Sequence, residues 1–330
     1  MKLNGLLTGL AIVGLLLGSG DAVAVEHSVD CDKGQSIQKI FDKAPTADRE
    51  VSVNVTGDCY EDVRVTNDRF SITGDGAATI HGTVAILGLR GGISDITVDG
   101  QVRVLGAIAG LTSVHITGPG PGFVQSTGRT RLRDVYISGN LGPGVQLTGN
   151  GRLNFISGAV ESNDGDGIYV EDASALVGSV EIFGNHSGVN ALMSTVTLDN
   201  GASIHDNGNH GVDGNFHSSI LVNDSVEIFS NGGSGIRLED DSGLLAFGPV
   251  LMFNNGGENV FCADTESSAK FHSGAPDYVS CTGFDQVATH AVIPTVTFES
   301  GSGTHPAGTT MMGDDAFYTS DTSDPLGPFF

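Results

Sequence analysis

Arg237 is the only arginine after residue 152, and acids surround it in sequence. Asp213 precedes it, Glu239 follows it, and Glu171 falls earlier in the same repeating series. Three chemistries fit this set. In a β-elimination, Arg237 clamps a substrate carboxylate or acts as the base. Glu171, Asp213 and Glu239, as hard oxygen donors, then hold Ca²⁺, which acidifies the proton beside a uronate carboxylate. In glycoside hydrolysis, two of the carboxylates serve as acid and base, at a separation of about 5.5 Å or about 6.5–9.5 Å. In the third case Arg237 is a surface ion pair that relieves repulsion among acids. The catalytic candidates are therefore Arg237, Asp213, Glu171 and Glu239. Tyr169, Asn190, His210 and Asn215 share the series and are the candidate substrate contacts.

These residues fall together only if the chain repeats, and it does. Val145, Ile168, Val189, Val212, Ile236 and Val260 each open a short apolar–polar–apolar run, at steps of 21 to 24 residues. Asn140, Asn163, Asn185, Asn207, Asn231 and Asn255 keep the same beat, each closing a strand-like segment. A fixed period in the low twenties with no helical spacing of apolar residues is the pattern of a β-solenoid. Stacked parallel strands put equivalent side chains into columns about 4.8 Å apart. Val145 and Leu147, Ile168 and Val170, Val189 and Ala191, Val212, and Ile236 and Leu238 are expected to point inward. Gln146, Tyr169, Asn190, Asp213 and Arg237 form one outward column, and Thr148, Glu171, Leu192, Asn215 and Glu239 a second. The asparagines are expected to form an internal ladder of amide hydrogen bonds. About ten coils follow from roughly 22 residues per coil.

The bulk composition agrees. There are 49 glycines and no tryptophan, which suits many short strands and tight turns. Lys2, the apolar run Leu6 to Leu17 and Ala22-Val23-Ala24 read as a secretory signal peptide over 1–24. That run is too short for a membrane span, and no other stretch approaches the length needed. The four cysteines then imply two disulfides in an oxidising compartment, outside the cell or in a periplasm. Neighbours in sequence are neighbours in a solenoid, so Cys31 is paired with Cys59 and Cys262 with Cys281. The net charge is −24. Residues 1–152 hold 13 basic and 15 acidic residues, and 153–330 hold 2 basic and 24 acidic. This balance argues against nucleic acid as a partner, since phosphate binding needs a basic face. Arg129, Arg131, Arg133 and Arg152 gather much of the basic charge, with Arg129 and Arg152 stacked on adjacent coils.

Ile37, Ile40, Phe41 and Ala44 fall at helical spacing before Pro45 and predict a short helix that caps the solenoid, within an N-terminal unit of 25–50. Residues 51–283 are assigned to the solenoid and 284–330 to a C-terminal strand and flexible tail. The run from Ile37 through Gly57-x-x-Tyr60-Glu61 to Ile72-Thr73-Gly74-Asp75-Gly76 resembles the opening of right-handed parallel β-helix proteins of the pectate-lyase-like superfamily. The later Asn/Gly repeats resemble that superfamily's general repeat. The resemblance covers roughly residues 36–262 and implies the scaffold: an all-β, single-stranded, right-handed parallel β-helix. It implies no catalytic residues. The Gln-Asp-Thr-Leu and Arg-Pro-Trp segments of pectin methylesterases, the Trp-Ile-Asp-His segment of pectate lyases and the Asp-Pro-His-Asp segment of alginate epimerases are absent. Asn209-His210-Gly211 and Asp240-Asp241 are only fragments of the polygalacturonase set.

Three further motifs stand apart. His186, His205, His210 and His217 sit in or near turns and raise a metal site against the plainer reading of solvated histidines. Asp164-Gly165-Asp166-Gly167 looks like a calcium turn that the repeat does not renew. Asn54, Asn185 and Asn223 open glycosylation patterns. The expected function is a secreted, non-catalytic glycan-binding or structural surface protein, partnered by a polysaccharide or cell-surface glycan. The alternative is a polysaccharide lyase or glycoside hydrolase working through the strip around Arg237, with Ca²⁺ as its cofactor.

Overall fold

The computed structural model describes residues 25–44, 50–223, 225–272, 275–281 and 285–286. The expected signal peptide, Pro45 and nearly all of the expected C-terminal strand and tail lie outside them. The chain winds into a right-handed parallel β-solenoid of about 11 turns with one short helix near its N-terminus. Three faces run the length of the winding. Sheet 1 contains Val145–Thr148, Ile168–Glu171, Val189–Leu192, Val212–Asn215, Ile236–Leu238 and Val260–Cys262. Sheet 2 passes through Thr195–Leu198, Ser219–Val222 and Gly243–Ala246. Sheet 3 passes through Ser203–His205, Val226–Phe229 and Val250–Phe253. In earlier coils one long strand, such as Arg152–Glu161 or Ser174–Phe183, turns the corner from sheet 2 to sheet 3.

Alternation within each strand builds the core. The expected inward residues, from Val145 and Leu147 to Ile236 and Leu238, are all fully buried. β-branched side chains dominate because they pack well on a pleated, half-buried surface. Each coil adds only a few such residues, so the interior is a long thin column and no coil is stable without its neighbours.

The asparagine ladder forms as expected. Asn163 donates from its backbone N–H and its Nδ2 to Oδ1 of Asn185, at 3.1 and 2.8 Å. Asn140, Asn185, Asn207 and Asn231 repeat the pair of bonds to the next asparagine. From Asn163 onward each Nδ2 also reaches back to a carbonyl of the preceding coil, as Asn207 does to Ile182, whereas Asn140 reaches back only to Ser138 on its own coil. The residue before each asparagine (Gly139, Ser162, Gly184, Asp206, Ser230, Asn254) has a φ between 52° and 66°. This left-handed corner aims the amide inward, and small or amide-like residues tolerate it best. A glycine opens the next strand. A Cβ on Gly211 would lie 2.6 Å from the Gly235 carbonyl oxygen and 2.9 Å from Asn231 Nδ2. At the end of the array Asn259 takes the missing partner's place, accepting from Asn255 and donating to Met252 and Asp277.

A second ladder, not foreseen from sequence, runs at the corner between sheets 1 and 2. The hydroxyls of Ser194, Ser218, Ser242 and Ser267 accept from the backbone N–H of Ala173, Ser194, Ser218 and Ser242. An outer stack on sheet 3 was also missed. Phe183, His205, Phe229 and Phe253 lie nearly parallel, with centroids 5.2, 4.7 and 4.9 Å apart.

The ends are tied. Cys31 bonds Cys59 and Cys262 bonds Cys281, as expected. The helix spans Ile37–Lys43, with Ile37 and Phe41 buried and Phe41 set edge-on to Phe70. Glu61 caps it from the following coil, accepting from the N–H groups of Ile37 and Gln38 and from the Ser36 hydroxyl. One strand differs from expectation. Val25–Asp30 pairs in parallel with Val51–Thr56, so the winding begins before the helix. Its alternating Val25, His27 and Val29 carried that signal.

Asn207→Ala orphans the backbone N–H of Asn185, takes one of three acceptors from its Nδ2 and removes two bonds made by the Asn207 side chain itself. Stability should fall by about 3 kcal/mol or more, read as a lower urea midpoint against the parent protein.

Candidate functional site

Register places the expected strip on sheet 1. Gln146, Tyr169, Asn190, Asp213 and Arg237 stand opposite one another on successive coils. Thr148, Glu171, Leu192 and Asn215 form the second column, and Glu239 follows through its N–H bond to the Gly214 carbonyl.

Arg237 is the hub of the lower half. Its Nη1 donates to Oδ1 of Asp213 at 3.0 Å and to Oδ1 of Asn215 at 3.3 Å, and its Nη2 donates to Glu239. The Asp213 side chain is 14% exposed and that of Arg237 22%. Burial works to lower the guanidinium's pKa, but the hydrogen bonds and charges of Asp213 and Glu239 outweigh it and the net shift is upward. A β-elimination base needs a guanidinium that loses its proton readily, and these contacts oppose that.

His210 packs beside this group. Its Nδ1 accepts from the Ser234 N–H at 2.9 Å, which leaves Nε2 to carry the proton of the neutral ring. Burial, with the charges of Arg237 and His186, holds its pKa below the ordinary imidazole value against the opposing pull of Asp213.

The upper half is organised by two other acids. Tyr169 donates its hydroxyl to Glu171 at 3.2 Å. Burial, then the charge and hydrogen bond of Glu171, raise the phenol's pKa, and Asp166 adds to this. Asp166 accepts from Asn190 Nδ2 at 2.9 Å and from the Ser187 N–H at 3.3 Å. The Oδ1 of Asn190 is buried without a hydrogen-bond partner.

The structure divides the expected catalytic and metal set. Glu171 and Glu239 occupy one column three coil steps apart, about 14 Å. One Ca²⁺ cannot take both as ligands at the usual 2.3–2.6 Å or so. The set of Glu171, Asp213 and Glu239 is therefore not a Ca²⁺ site, and no group of three metal-capable side chains occurs among the described residues. Only Asp213 and Glu239 come together, and Arg237 lies between them. His186 and His210 are near neighbours, whereas His205 belongs to the stack on sheet 3, with Glu181 and Asp206 at its two ring nitrogens. The Asp164–Gly167 turn spends Asp166 on Asn190. Asn185 is buried in the ladder, so its glycosylation pattern is structural.

Two residues at the strip's margin escaped the sequence reading. Met193 and Phe216 directly follow Leu192 and Asn215, have φ of 48° and 53°, and are 50% and 51% exposed. Bulky residues rarely adopt this conformation, and here the corner of the coil imposes it. The signal was available in their position: the equivalent corners hold Asp172 and Asp240, which tolerate it.

Comparison with known proteins supports the scaffold. The family described as "Right handed beta helix region" matches residues 115–273. The chain is similar to tailspike protein 2 of Escherichia coli O157:H7 bacteriophage CAB120, at 12% identity and a TM-score of 0.53. That match covers 70% of this chain and 42% of the tailspike, so the chain spans less than half of its length. It is also similar to the A-module of the mannuronan C-5 epimerase AlgE4 of Azotobacter vinelandii, at 17% identity and a TM-score of 0.50. Here 76% of this chain and 90% of the module are covered. No curated protein matches the chain. At these identities the likeness is one of fold, and it agrees with the β-helix expected from the repeat. No helix of the described residues is long and apolar enough to cross a membrane.

The His210 shift has a pH consequence. Its folded pKa lies below the unfolded value of about 6.5, so the unfolded chain binds the extra proton first as pH falls. The contribution of His210 is constant above about pH 6.5 and declines as pH drops from there toward the folded value. Thermal midpoints from pH 8 to pH 5 should fall more steeply for the parent than for His210→Gln.

Proposed function

We propose that this is an exported, non-catalytic polysaccharide-binding protein whose strip on sheet 1 receives a neutral glycan chain. The observation that carries the reading is the in-register row Tyr169, Asn190, Asp213 and Arg237, with Asn215 and the apolar Leu192, Met193 and Phe216 along its edge. Sugars present hydroxyls at their rims and C–H groups on their faces. A row that alternates amides, a phenol and a paired guanidinium with apolar side chains matches both. The coil step is comparable with the length of one sugar ring, so successive rungs meet successive rings. The tailspike and the mannuronan epimerase lend general support to a polysaccharide partner.

Two arguments favour binding over catalysis. The carboxylates are engaged: Asp213 and Glu239 by Arg237, Glu171 by Tyr169, and Asp166 by Asn190 and Ser187. The active-site segments of the scaffold's pectin- and alginate-acting members are also absent from the sequence. A neutral partner is favoured over a polyuronate because the strip is rich in acids and lacks the three-carboxylate ion site that would bridge like charges. Export is supported by the two disulfides and by the signal-like N-terminus.

Retention and product release on pectate, alginate, hyaluronan, xylan and cellulose test this reading. Xylan or cellulose should be retained, with no new reducing ends and no unsaturated product, whether Ca²⁺ or a chelator is present. Tyr169→Ala and Arg237→Ala should each weaken retention about tenfold, which is about 1.4 kcal/mol. Product formation lost in Arg237→Ala would replace the reading with an enzyme. Absence of retention on every polymer would replace it with a structural role.

A further inference from the structure

The chain's net negative charge hides a positive face on sheet 2. Arg69, Arg90, Ile108, Arg129 and Arg152 stand in register on successive coils. At about 4.8 Å per step the column is about 19 Å long. Arg131 and Arg133 alternate outward from Arg129 along the strand Phe123–Arg133, and all three are exposed. Beside the column, Ser71, Gly92 and Gly110 lead in register to Arg131. A parallel row of Thr73, Ser94 and Thr112 leads to Arg133. Glycine raises no side chain, so a shallow trough runs between the arginine column and the threonine–serine row. From Arg69 to Leu176, no outward strand position of this face carries a carboxylate among the described residues. Asp68 and Asp134 lie at its margins, Asp95 at the corner within the strand Arg90–Asp99, and Glu50 one rung before Arg69. Beyond Arg152 the column continues as Ser174, Thr195 and Ser219.

We propose that this trough binds a linear anionic polysaccharide, with its carboxylates or sulfates received by the arginines. Guanidinium groups match such oxyanions in a planar, two-point geometry. Their repeat along the column equals the coil step, so a chain lying parallel to the solenoid axis meets a cation at most rungs. A protein partner fits less well, because Ile108 is the one large apolar side chain of the column and protein interfaces are built around apolar anchors. A nucleic-acid duplex fits less well too, since it is broad and would overhang the acids of the flanking faces, Glu161, Glu171 and Glu181 among them. The proposal goes beyond the neutral-glycan strip, lies on a different sheet and does not depend on it.

Binding to immobilised hyaluronan (carboxylate) and dextran sulfate (sulfate) tests it, with neutral dextran and a DNA duplex as comparators, at about 50 mM salt. The protein should bind one or both anionic glycans and not dextran, and binding should weaken steadily with salt. The triple change R129S/R131S/R133S should cost at least about tenfold, the corresponding triple lysine change far less, and K270S nothing. Equal melting midpoints for the serine variant and the parent make that loss attributable to the trough. If the serine variant melts early, salt decides: binding by the parent that persists at about 0.5 M overturns the proposal. So would absence of binding to both anionic glycans, undiminished binding by a folded serine variant, or tighter binding of the duplex through the same arginines. Xylan or cellulose retention by the serine variant reports on the sheet 1 strip separately.

Discussion

The whole structure depends on one constraint: a buried amide column must be satisfied coil after coil. From Asn163 to Asn231 each ladder asparagine gives and takes hydrogen bonds with the coils on either side, in an interior that water does not reach. An unpaired amide there costs far more than a paired one contributes. The ladder therefore admits one register. A slip of one residue would turn every inward valine and isoleucine to solvent and leave the asparagines unpaired. The left-handed residue before each asparagine and the glycine that opens the next strand follow from the same geometry.

Register in turn makes chemistry out of sequence-distant residues. Asp213 and Arg237 lie 24 residues apart and meet because their strands are adjacent rungs. The same rule separates residues that looked like partners, as it does Glu171 and Glu239. Charge follows the faces as well. Sheet 1 and sheet 3 gather acids in the second half of the chain, while sheet 2 gathers arginines in the first half. A single net charge describes neither surface.

Much of this was legible beforehand, and the reason is periodicity. Inward Val, Ile and Leu, the Asn beat and the cysteine pairs at the two ends each report a property that repeats or closes, and repetition makes a weak local signal strong. What was missed lies where composition is ambiguous. Ser194, Ser218, Ser242 and Ser267 form a ladder, but serine is common in any turn. His205 sits in a Gly/Asn-rich stretch that reads as a turn, yet it closes the strand Ser203–His205 and stacks between Phe183 and Phe229. Met193 and Phe216 adopt a backbone conformation that their residue types disfavour, so propensity pointed away from it. The proposed ion site failed for a different reason. Its three carboxylates share a chemistry but not a place, since their column positions put Glu171 three coils from Glu239.

Hydroxyl-radical footprinting tests the functional account most directly, because exposed aromatic and sulfur side chains report on separate faces. Tyr169, Met193 and Phe216 mark the strip, whereas Tyr136 and Phe253 mark sheet 3. With the neutral polysaccharide that the protein retains best, the account predicts protection of Tyr169, Met193 and Phe216 and unchanged labelling of Tyr136 and Phe253. Protection confined to Tyr136 and Phe253, or labelling that the glycan leaves unaltered everywhere, would contradict it.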